Sequence, residues 1–324
     1  MQNKNAFISI LFFLSISSLL FADILTQYRQ NGIENLEKQM DLDLTQKKYW
    51  QKHLQNIDTT FGYLETYTNI LTCDKSQSTL SLYMKDKENS YTLTKDYSAF
   101  TGKRKGDKLK EGDLKTPIGV YTLTKKLSNV DSFYGPMAFV TSYPNIYDQY
   151  RGKNGSGIWI HGLPTKQERD SFTKGCIAIN NANIKCLDRN INIKETVLII
   201  NETSLHTPVS KESLSTILSQ IYAWRYAWLY NDTDKYLSFY DLSFKRYDGV
   251  NLTNFKKYKT RVFNKKESKT IIFKDINVIP YPNSDDTFKI VFNEIYKSDS
   301  FSFIGQKTLI VKLKNSHLTI ITEK

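Results

Sequence analysis

The stretch that most constrains the fold is residues 157–181, GIWIHGLPTKQERDSFTKGCIAINN, in which a histidine is followed fourteen residues later by a Gly-Cys pair. The alternation Ile-Trp-Ile-His in residues 158–161 predicts a strand with both isoleucines on one face and the tryptophan and histidine on the other. We therefore expect His161 to point away from the core. Gly175 permits a close approach and a sharp turn of the backbone, which predicts that Cys176 lies at the mouth of the next element.

A cysteine and a histidine brought together in this way supply a thiolate nucleophile. A free thiol, with a pKa of about 8.5, is only slightly ionised at neutral pH, so an imidazole that takes its proton speeds attack. We expect His161 to be that base, with the backbone carbonyl of Gly162 accepting a hydrogen bond from its other nitrogen. Backbone amides of Gly175 and Cys176 are the expected oxyanion donors. The pattern indicates acyl transfer or amide hydrolysis, although a lone cysteine or histidine is more often structural.

Several segments in a fixed order surround this pair. Residues 160–162 read Ile-His-Gly and residues 173–177 read Thr-Lys-Gly-Cys-Ile. Upstream, residues 112–121 read GDLKTPIGVY, and the segments Phe-Tyr-Gly-Pro (133–136) and Tyr-Pro-Asn (143–145) follow. Together they resemble the catalytic domain of the L,D-transpeptidase family, the cysteine enzymes of the bacterial cell wall, whose signature is His-Gly, Ser/Thr-x-Gly-Cys and GDxxTPxGxY.

The resemblance covers roughly residues 65–200. It implies a mainly β catalytic domain, with Cys176 as nucleophile and His161 as base, that acts on peptidoglycan stem peptides without a cofactor. Two positions depart from the common pattern. Lys174 replaces a frequent histidine, and Ala178 replaces a frequent arginine that is a plausible carboxylate clamp in cross-linking enzymes. Further candidate substrate contacts are Trp159, Tyr134, Thr173, Lys174 and Ala178.

These departures, with the appended C-terminal region, resemble the cell-shape-determining L,D-carboxypeptidases of helical bacteria. We therefore expect a periplasmic enzyme that removes the terminal D-alanine from tetrapeptide stems, with water as the acyl acceptor. One alternative is an L,D-transpeptidase that forms or cleaves cross-links or links to lipoprotein. Another is a non-catalytic scaffold that binds cell wall or glycan.

The chain opens with an apolar run after Lys4, which predicts a secretory signal over residues 1–22; an uncleaved anchor is the alternative. Residues 23–60 carry apolar residues at helical spacing and predict two or three short helices, interrupted at Gly32 and near residues 41–43. Such narrow apolar stripes cannot stand alone, so we expect them to pack on the catalytic domain or on a second copy in a homodimer.

The catalytic domain is assigned to residues 61–201, with strand patterns at residues 80–84, 91–94, 120–123 and 196–200 and a helix at 181–187. A basic loop, residues 103–115, carries six lysines and arginines against three acids and is either a solvated loop or a cleft rim. Of the three cysteines, Cys73 and Cys186 are expected to be buried thiols rather than a disulfide. Their spacing has no zinc pattern, so no metal is expected.

Residues 202–324 form a further unit after a linker at residues 201–210. Ser210 is the expected N-cap of a long helix with a wide apolar face. A shorter helical region near residues 235–244 and a run of alternating strands follow, at residues 270–273, 288–296, 308–313 and 318–322. This order is similar to the cone-shaped α+β fold of the nuclear-transport-factor-2-like family. Such a cone either encloses a pocket for substrate or glycan or serves only as a packing module.

The net charge of +12 also needs a partner. Residues 245–269 alone carry nine lysines and arginines. Such a patch is compatible with nucleic acid. An exported protein meets little nucleic acid and the chain has no motif for it, so attraction to an anionic cell envelope is the better interpretation.

Overall fold

A computed structural model of the chain describes residues 4–164, 170–203 and 208–324. Residues 165–169 of the histidine-cysteine stretch, residues 204–207 of the linker and the first three residues of the expected signal lie outside these ranges. The described residues form seven α-helices, α1 Lys4–Leu44, α2 Lys47–His53, α3 Ile146–Tyr150, α4 Asn181–Asn190, α5 Lys211–Leu229, α6 Thr233–Ser238 and α7 Leu252–Phe263. The strands are β1 Tyr63–Leu64, β2 Asn69–Asp74, β3 Thr79–Lys85, β4 Tyr91–Phe100, β5 Gly119–Leu127, β6 Ala138–Thr141, β7 Trp159–His161, β8 Ile177–Ile179, β9 Thr196–Asn201, β10 Lys269–Pro280, β11 Thr287–Ser298, β12 Ser302–Lys314 and β13 His317–Glu323.

Eight strands close into a barrel in the order β2-β3-β4-β8-β7-β6-β5-β9. Alternating apolar residues fill its interior, as in β3, where Leu80 and Leu82 are buried while their neighbours are half-buried. The helix α4 follows β8 and contributes Ile184 and Leu187 to the same core. The mainly β catalytic domain expected from the sequence is therefore confirmed. Strands β2 and β6 were not predicted, because neither has a clean two-residue alternation.

The C-terminal unit is the expected α+β domain, a five-stranded sheet in the order β1-β10-β11-β12-β13 covered by α5, α6 and α7. Its two faces are both used. Along β11, Ile290 and Phe292 join the apolar cluster under the helices. On the outer face, Ile279 and Ile310 join a separate cluster with Val120 and other residues of the barrel. The C-terminal domain is thus packed directly against the catalytic domain.

Two local expectations for this part of the chain need correction, and one helix was not predicted. The helical region near residues 235–244 ends at Ser238, and a second helix, α7, lies inside the basic stretch at residues 245–269. The buried apolar residues of α7 are Phe255 and Phe263. In the sequence, the many lysines between them obscure the helical pattern. Strand β1 lies in the range assigned to the catalytic domain, yet it pairs with β10 of the C-terminal sheet.

Packing on the barrel was one expectation for the N-terminal helices. In the part of the chain that the structure describes, α1 and α2 pack instead on helix α5. Trp50 of α2 lies against Tyr222 of α5, with ring centroids 5.1 Å apart. Arg225 of α5 forms an ion pair with Asp41 at 2.7 Å. The wide apolar face of α5 extends past the sheet and accepts α2, which explains the preference.

Helix α1 is interrupted at Gly32, as expected, where φ is 76°. The second break follows Leu44 rather than falling within residues 41–43. Several apolar side chains of α1, including Ile24, Leu25 and Ile33, remain exposed, and the homodimer stays a prediction. A search of the described residues finds no helix with the length and apolar character needed to span a membrane.

Candidate active site

The turn that carries Cys176 is held by the side chain of Thr173. The Thr173 hydroxyl donates to the carbonyl of Cys176 at 2.7 Å and accepts from the amide of Gly175 at 2.9 Å. Gly175 has φ of 139°, and a Cβ there would lie 2.9 Å from the carbonyl oxygen of Lys115. Only glycine satisfies both conditions. The turn is therefore fixed from inside and from the neighbouring loop.

His161 and Cys176 approach each other through two parallel strands. In the register of β7 and β8, Ile160 pairs with Ile177 and His161 with Ala178. Cys176 immediately precedes β8, so it lies on the same face as His161, one strand across and two residues away. With strands about 4.8 Å apart and a rise of about 3.3 Å per residue, the two Cα atoms are about 8 Å apart, within reach of a cysteine and a histidine side chain.

The imidazole of His161 is oriented by the next residue. Its Nδ1 lies 2.6 Å from the carbonyl oxygen of Gly162. Because a carbonyl can only accept, Nδ1 carries the proton in the neutral ring and Nε2 is left as the basic nitrogen. The edge of the Tyr134 ring covers the imidazole at a centroid distance of 5.0 Å and an angle of 89°. His161 faces away from the apolar core, as expected, yet only 1% of it is exposed because of this cover.

Asn181 was not predicted as a site residue, and it clamps the histidine loop. Its Oδ1 accepts from the amide of Leu163 at 2.8 Å, and its Nδ2 donates to the carbonyl of Leu163 at 3.0 Å. A Cβ on Gly162 would overlap Asn181 Oδ1, which explains the glycine after the histidine. The preceding Asn180 caps α4, accepting from the amide of Ala182 at 2.8 Å. Asn181 is therefore not needed as the cap, and adjacent asparagines after a strand are the only sequence signal for this clamp.

The expected oxyanion donors need one correction. The amide of Gly175 donates to the Thr173 hydroxyl, so it points into the turn and not toward a bound carbonyl. An N–H donor that is already engaged cannot stabilise an oxyanion without breaking its existing hydrogen bond. The amide of Cys176 remains the candidate donor.

The candidate substrate contacts differ in their access to solvent. Thr173 and Ala178 are buried, so their part is to shape the turn and to leave space beside His161. Trp159 is half-buried and lies against Tyr134, with ring centroids 5.1 Å apart. Lys174 is exposed. Trp159, Tyr134 and Lys174 therefore stay candidates for contact with a substrate.

The basic loop at residues 103–115 borders the turn that carries Cys176. The amide of Lys103 donates to the carbonyl of Thr173 at 3.1 Å, and Lys103 Nζ lies 4.7 Å from the ring centroid of Phe172. Asp113 organises the loop through an ion pair with Lys108 at 2.9 Å. Burial alone would raise the pKa of Asp113, but hydrogen bonds from Lys108 and three backbone amides hold it well below its ordinary value. Of the two interpretations, the contacts favour a cleft rim.

The other cysteines lie apart from this turn. Cys73 is fully buried in β2, and burial raises the pKa of its thiol to about 12. Cys186 is half-buried in α4. All three cysteines are free thiols. Cys176 donates from its sulfur to the carbonyl of Gly157 at 3.4 Å, which holds the thiol at the entrance to β8.

A second feature is a cavity of about 600 Å³ in the C-terminal domain, between α7 and the inner face of the sheet. Lys259 Nζ lies 4.7 Å from the ring centroid of Trp228 and 5.1 Å from that of Tyr236. Burial lowers the pKa of Lys259 to about 8, against the attraction of Glu323. Lys307 pairs with Glu323 at 3.3 Å. The cavity thus combines aromatic walls with charges of both signs.

Comparison with known proteins matches both units. The sequence profile described as the L,D-transpeptidase catalytic domain matches residues 68–200, and that described as the Cds6 C-terminal NTF2-like domain matches residues 216–324. The crystal structure of the helical cell shape determining protein Pgp2 from Campylobacter jejuni is similar, with a TM-score of 0.79 and 35% identity over 86% of this chain and 99% of that one. Bd1075 of Bdellovibrio bacteriovorus is also similar, with a TM-score of 0.63 and 29% identity over 80% of this chain and 92% of that one.

Among curated sequences, YafK of Escherichia coli (strain K12), which carries a provisional L,D-transpeptidase name, is 34% identical over 112 residues. That match covers 34% of this chain and 42% of YafK. The chain therefore spans less than half of the curated relative that it matches. The similarity to Pgp2, in contrast, extends over both domains.

Proposed function

The chain belongs to the L,D-transpeptidase family and carries an NTF2-like C-terminal domain, and from this premise we propose that it is a periplasmic L,D-carboxypeptidase. Its substrate is the peptidoglycan tetrapeptide stem, and its product is the tripeptide stem and free D-alanine. The domain family supports a cysteine-dependent enzyme that acts on peptidoglycan. The export-like residues 1–22 agree with such a substrate, which lies outside the cytoplasm.

In the proposed mechanism, His161 Nε2 takes the proton of the Cys176 thiol, and the thiolate attacks the carbonyl between the diamino acid and the terminal D-alanine. The amide of Cys176 stabilises the oxyanion. Collapse breaks the C–N bond, and the imidazolium returns its proton to the amine of D-alanine. Water, deprotonated by His161, then attacks the thioester and releases the tripeptide carboxylate and the thiol.

The observation that carries this proposal is the fixed tautomer of His161. The Nδ1 contact with the Gly162 carbonyl leaves Nε2 without a proton in the neutral ring, on the same face as Cys176. A base needs an unprotonated nitrogen near the nucleophile, and the Nδ1 contact with a backbone carbonyl favours that tautomer without a carboxylate. Tyr134 and Asn181 keep the ring and its loop in place.

Water as the acceptor is supported by Ala178. Its methyl group is buried beside His161, at the position where the resemblance places an arginine in many members, a plausible carboxylate clamp in cross-linking enzymes. Without that cation, an acceptor stem has less to hold it near the thioester, whereas water needs no such site. The exposed Lys174 is the proposed replacement charge for the carboxylate of the donor stem.

The test is product analysis after incubating the chain with a disaccharide tetrapeptide in water enriched in heavy oxygen. Hydrolysis predicts a disaccharide tripeptide with one heavy oxygen in its new carboxyl group, and free D-alanine. Joined muropeptides would contradict the proposal and favour a transpeptidase. The Cys186→Ala variant is the matched control, since it removes a thiol outside the site and should give the same products.

A non-catalytic scaffold predicts a different result in cells. If the chain is a scaffold, the Cys176→Ala variant should support normal cell shape. If it is the proposed enzyme, the variant should not. We further propose that the C-terminal cavity binds cell-wall glycan or peptide and that the chain influences cell shape, a role that the name of Pgp2 states for that protein.

A further inference from the structure

A groove of about 370 Å³ lies at the junction of the two domains, on the outer face of the C-terminal sheet. It is lined from the catalytic domain by residues such as Thr122, Ser142 and Gln149, and from the sheet by Lys289 and Thr308. Its lining includes no residue of the turn of Cys176, and Gln306 and Lys324 also line the C-terminal cavity. The volume of the groove lies in the range of small-ligand sites.

Lys289 is the unusual member of this lining. Only 6% of it is exposed, and its cross-strand neighbours on β10 and β12 are Ile279 and Ile310. Among the described residues its Nζ has one hydrogen-bond acceptor, the carbonyl of Val120, at 3.2 Å. An ammonium group carries three donors, so two remain for a ligand. Burial of a cation without a full set of acceptors is costly, and Lys289 lines the groove, where a ligand can reach it.

Lys289 and Lys324 are the charged residues of the lining, and Lys324 Nζ lies 5.6 Å from the ring centroid of Tyr247, which is not part of the groove. The rest of the polar lining consists of hydroxyls and amides. The nearest acid that acts on Lys289, Asp148, is already paired with Arg151 at 3.1 Å and Lys153 at 2.9 Å. A buried, under-coordinated ammonium beside a neutral polar wall is suited to an anionic group.

We propose that this junction groove is an anion-binding site and that Lys289 holds there a carboxylate of a cell-wall peptide. The anion site follows from the groove itself, whereas the choice of peptide rests on the proposed function. Because the groove joins both domains, a bound peptide contacts the barrel and the sheet together. The site would place a stem peptide beside the catalytic domain without occupying the turn of Cys176.

The test uses the full chain with Cys176→Ala, so that no peptide is turned over. The probe is the stem tripeptide L-Ala-γ-D-Glu-diaminopimelate, titrated by calorimetry and by the methyl resonances of Thr122 and Thr308. We expect the tripeptide to shift both resonances and Lys289→Met to weaken its affinity about tenfold or more. Lys297→Met, on an exposed part of the same strand, should change affinity by less than about twofold.

A second variant guards against misfolding of the first. Gln149→Trp leaves Lys289 in place and fills the groove from its exposed rim, and it should also abolish the tripeptide shifts. Unchanged binding in both variants would overturn the site. Equal binding of a fully amidated tripeptide would overturn its anionic character.

Inorganic phosphate separates the two sources of an anion. Displacement of the tripeptide by phosphate, lost in Lys289→Met, supports the site. Resonance shifts with phosphate and none with the tripeptide would rule out the peptide as the ligand of the groove. Release of D-alanine by the chain with Cys176 is measured separately, so loss of groove binding with intact hydrolysis counts only against this inference, and the reverse only against the proposed function.

Discussion

The turn that carries Cys176 and the C-terminal cavity use buried polar groups in opposite ways. In the turn, the Thr173 hydroxyl and the Asn181 amide spend their hydrogen bonds on backbone groups of the site itself. In the cavity, Lys259 and Lys307 line an open space walled by aromatic rings, and Lys307 pairs with the buried Glu323. The first arrangement fixes a geometry, and the second leaves room for a partner.

The difference separates two requirements of one protein. A nucleophile and its base must be held within a fraction of an ångström, which closed hydrogen-bond networks achieve. A binding cavity needs charges that are incompletely satisfied until a ligand arrives. Changes in the turn should therefore reduce turnover with little effect on folding, and changes in the cavity should alter stability or binding with little effect on chemistry.

The largest expected effect comes from removing the nucleophile. Cys176→Ala should lower D-alanine release from a disaccharide tetrapeptide by roughly 10⁴-fold or more, because no other described group can form the acyl-enzyme. Tyr258→Ala, in the cavity wall, should leave turnover of this soluble substrate within about twofold. Release rates measured by mass spectrometry check both variants. Comparable losses in the two would erase the contrast between the regions.

The next effect sharpens the role of the loop clamp. Asn181→Ala should lower kcat about 10²-fold, because Leu163 loses both hydrogen bonds and the carbonyl that orients His161 is freed. The control is Asn180→Ala, which removes only a helix cap and should cost about 1 kcal/mol of stability without comparable loss of kcat. Steady-state kinetics and thermal unfolding separate the two. A similar kcat for Asn181→Ala and the unaltered chain would remove Asn181 from the site.

A smaller effect belongs to the cavity. Glu323 is buried and contacts Lys307 at 3.3 Å and the hydroxyl of Tyr240 at 3.1 Å. Glu323→Gln should lower the free energy of unfolding by about 2 kcal/mol, since the lysines lose a partner. Turnover of the soluble substrate should stay unchanged. Asp299→Asn, on the surface, is the control for denaturant unfolding, and equal stability of both variants would count against a stabilising role of Glu323 in this charge cluster.

The smallest effect is a pH dependence of the cavity. Burial lowers the pKa of Lys259 to about 8 in the folded chain, below its ordinary value of 10.5. Between these values the unfolded chain binds more protons, so this group makes stability rise with pH from about 8 to 10.5. Lys259 is half-buried and not fully enclosed, which limits the gain to about 1 kcal/mol. Lys259→Met should flatten that rise in denaturant unfolding, and an identical slope in both chains would contradict it.

The sequence allowed the periodic parts of this fold to be predicted. Alternation located β3 and the long strands of the C-terminal sheet, and a continuous apolar run located β9. Ser210 marked the start of α5, where its hydroxyl accepts from the amide of Ser213 at 3.1 Å. The order of motifs around His161 and Cys176 identified the catalytic domain, because chemistry fixes residue types at fixed spacing.

The features that could not be predicted from the sequence depend on contacts between distant segments. Nothing local tells that Asn181 reaches back eighteen residues to Leu163, or that the Gly175 amide is already taken by Thr173. The docking of α2 on α5 depends on which apolar face is left uncovered after the sheet forms. Lys289 is similar: within β11 it reads as an ordinary outward lysine, and only the packed barrel buries it.

The proposed chemistry requires that His161 ionises Cys176, and the pH dependence of alkylation measures that ionisation. Iodoacetamide is applied to the unaltered chain and to His161→Ala, and modification of Cys176 and of the reference thiol Cys186 is followed by peptide mapping. We predict an inflection for Cys176 below the ordinary thiol pKa of about 8.5 that disappears in His161→Ala, while Cys186 is unaffected. The same Cys176 profile in both chains would contradict the claim.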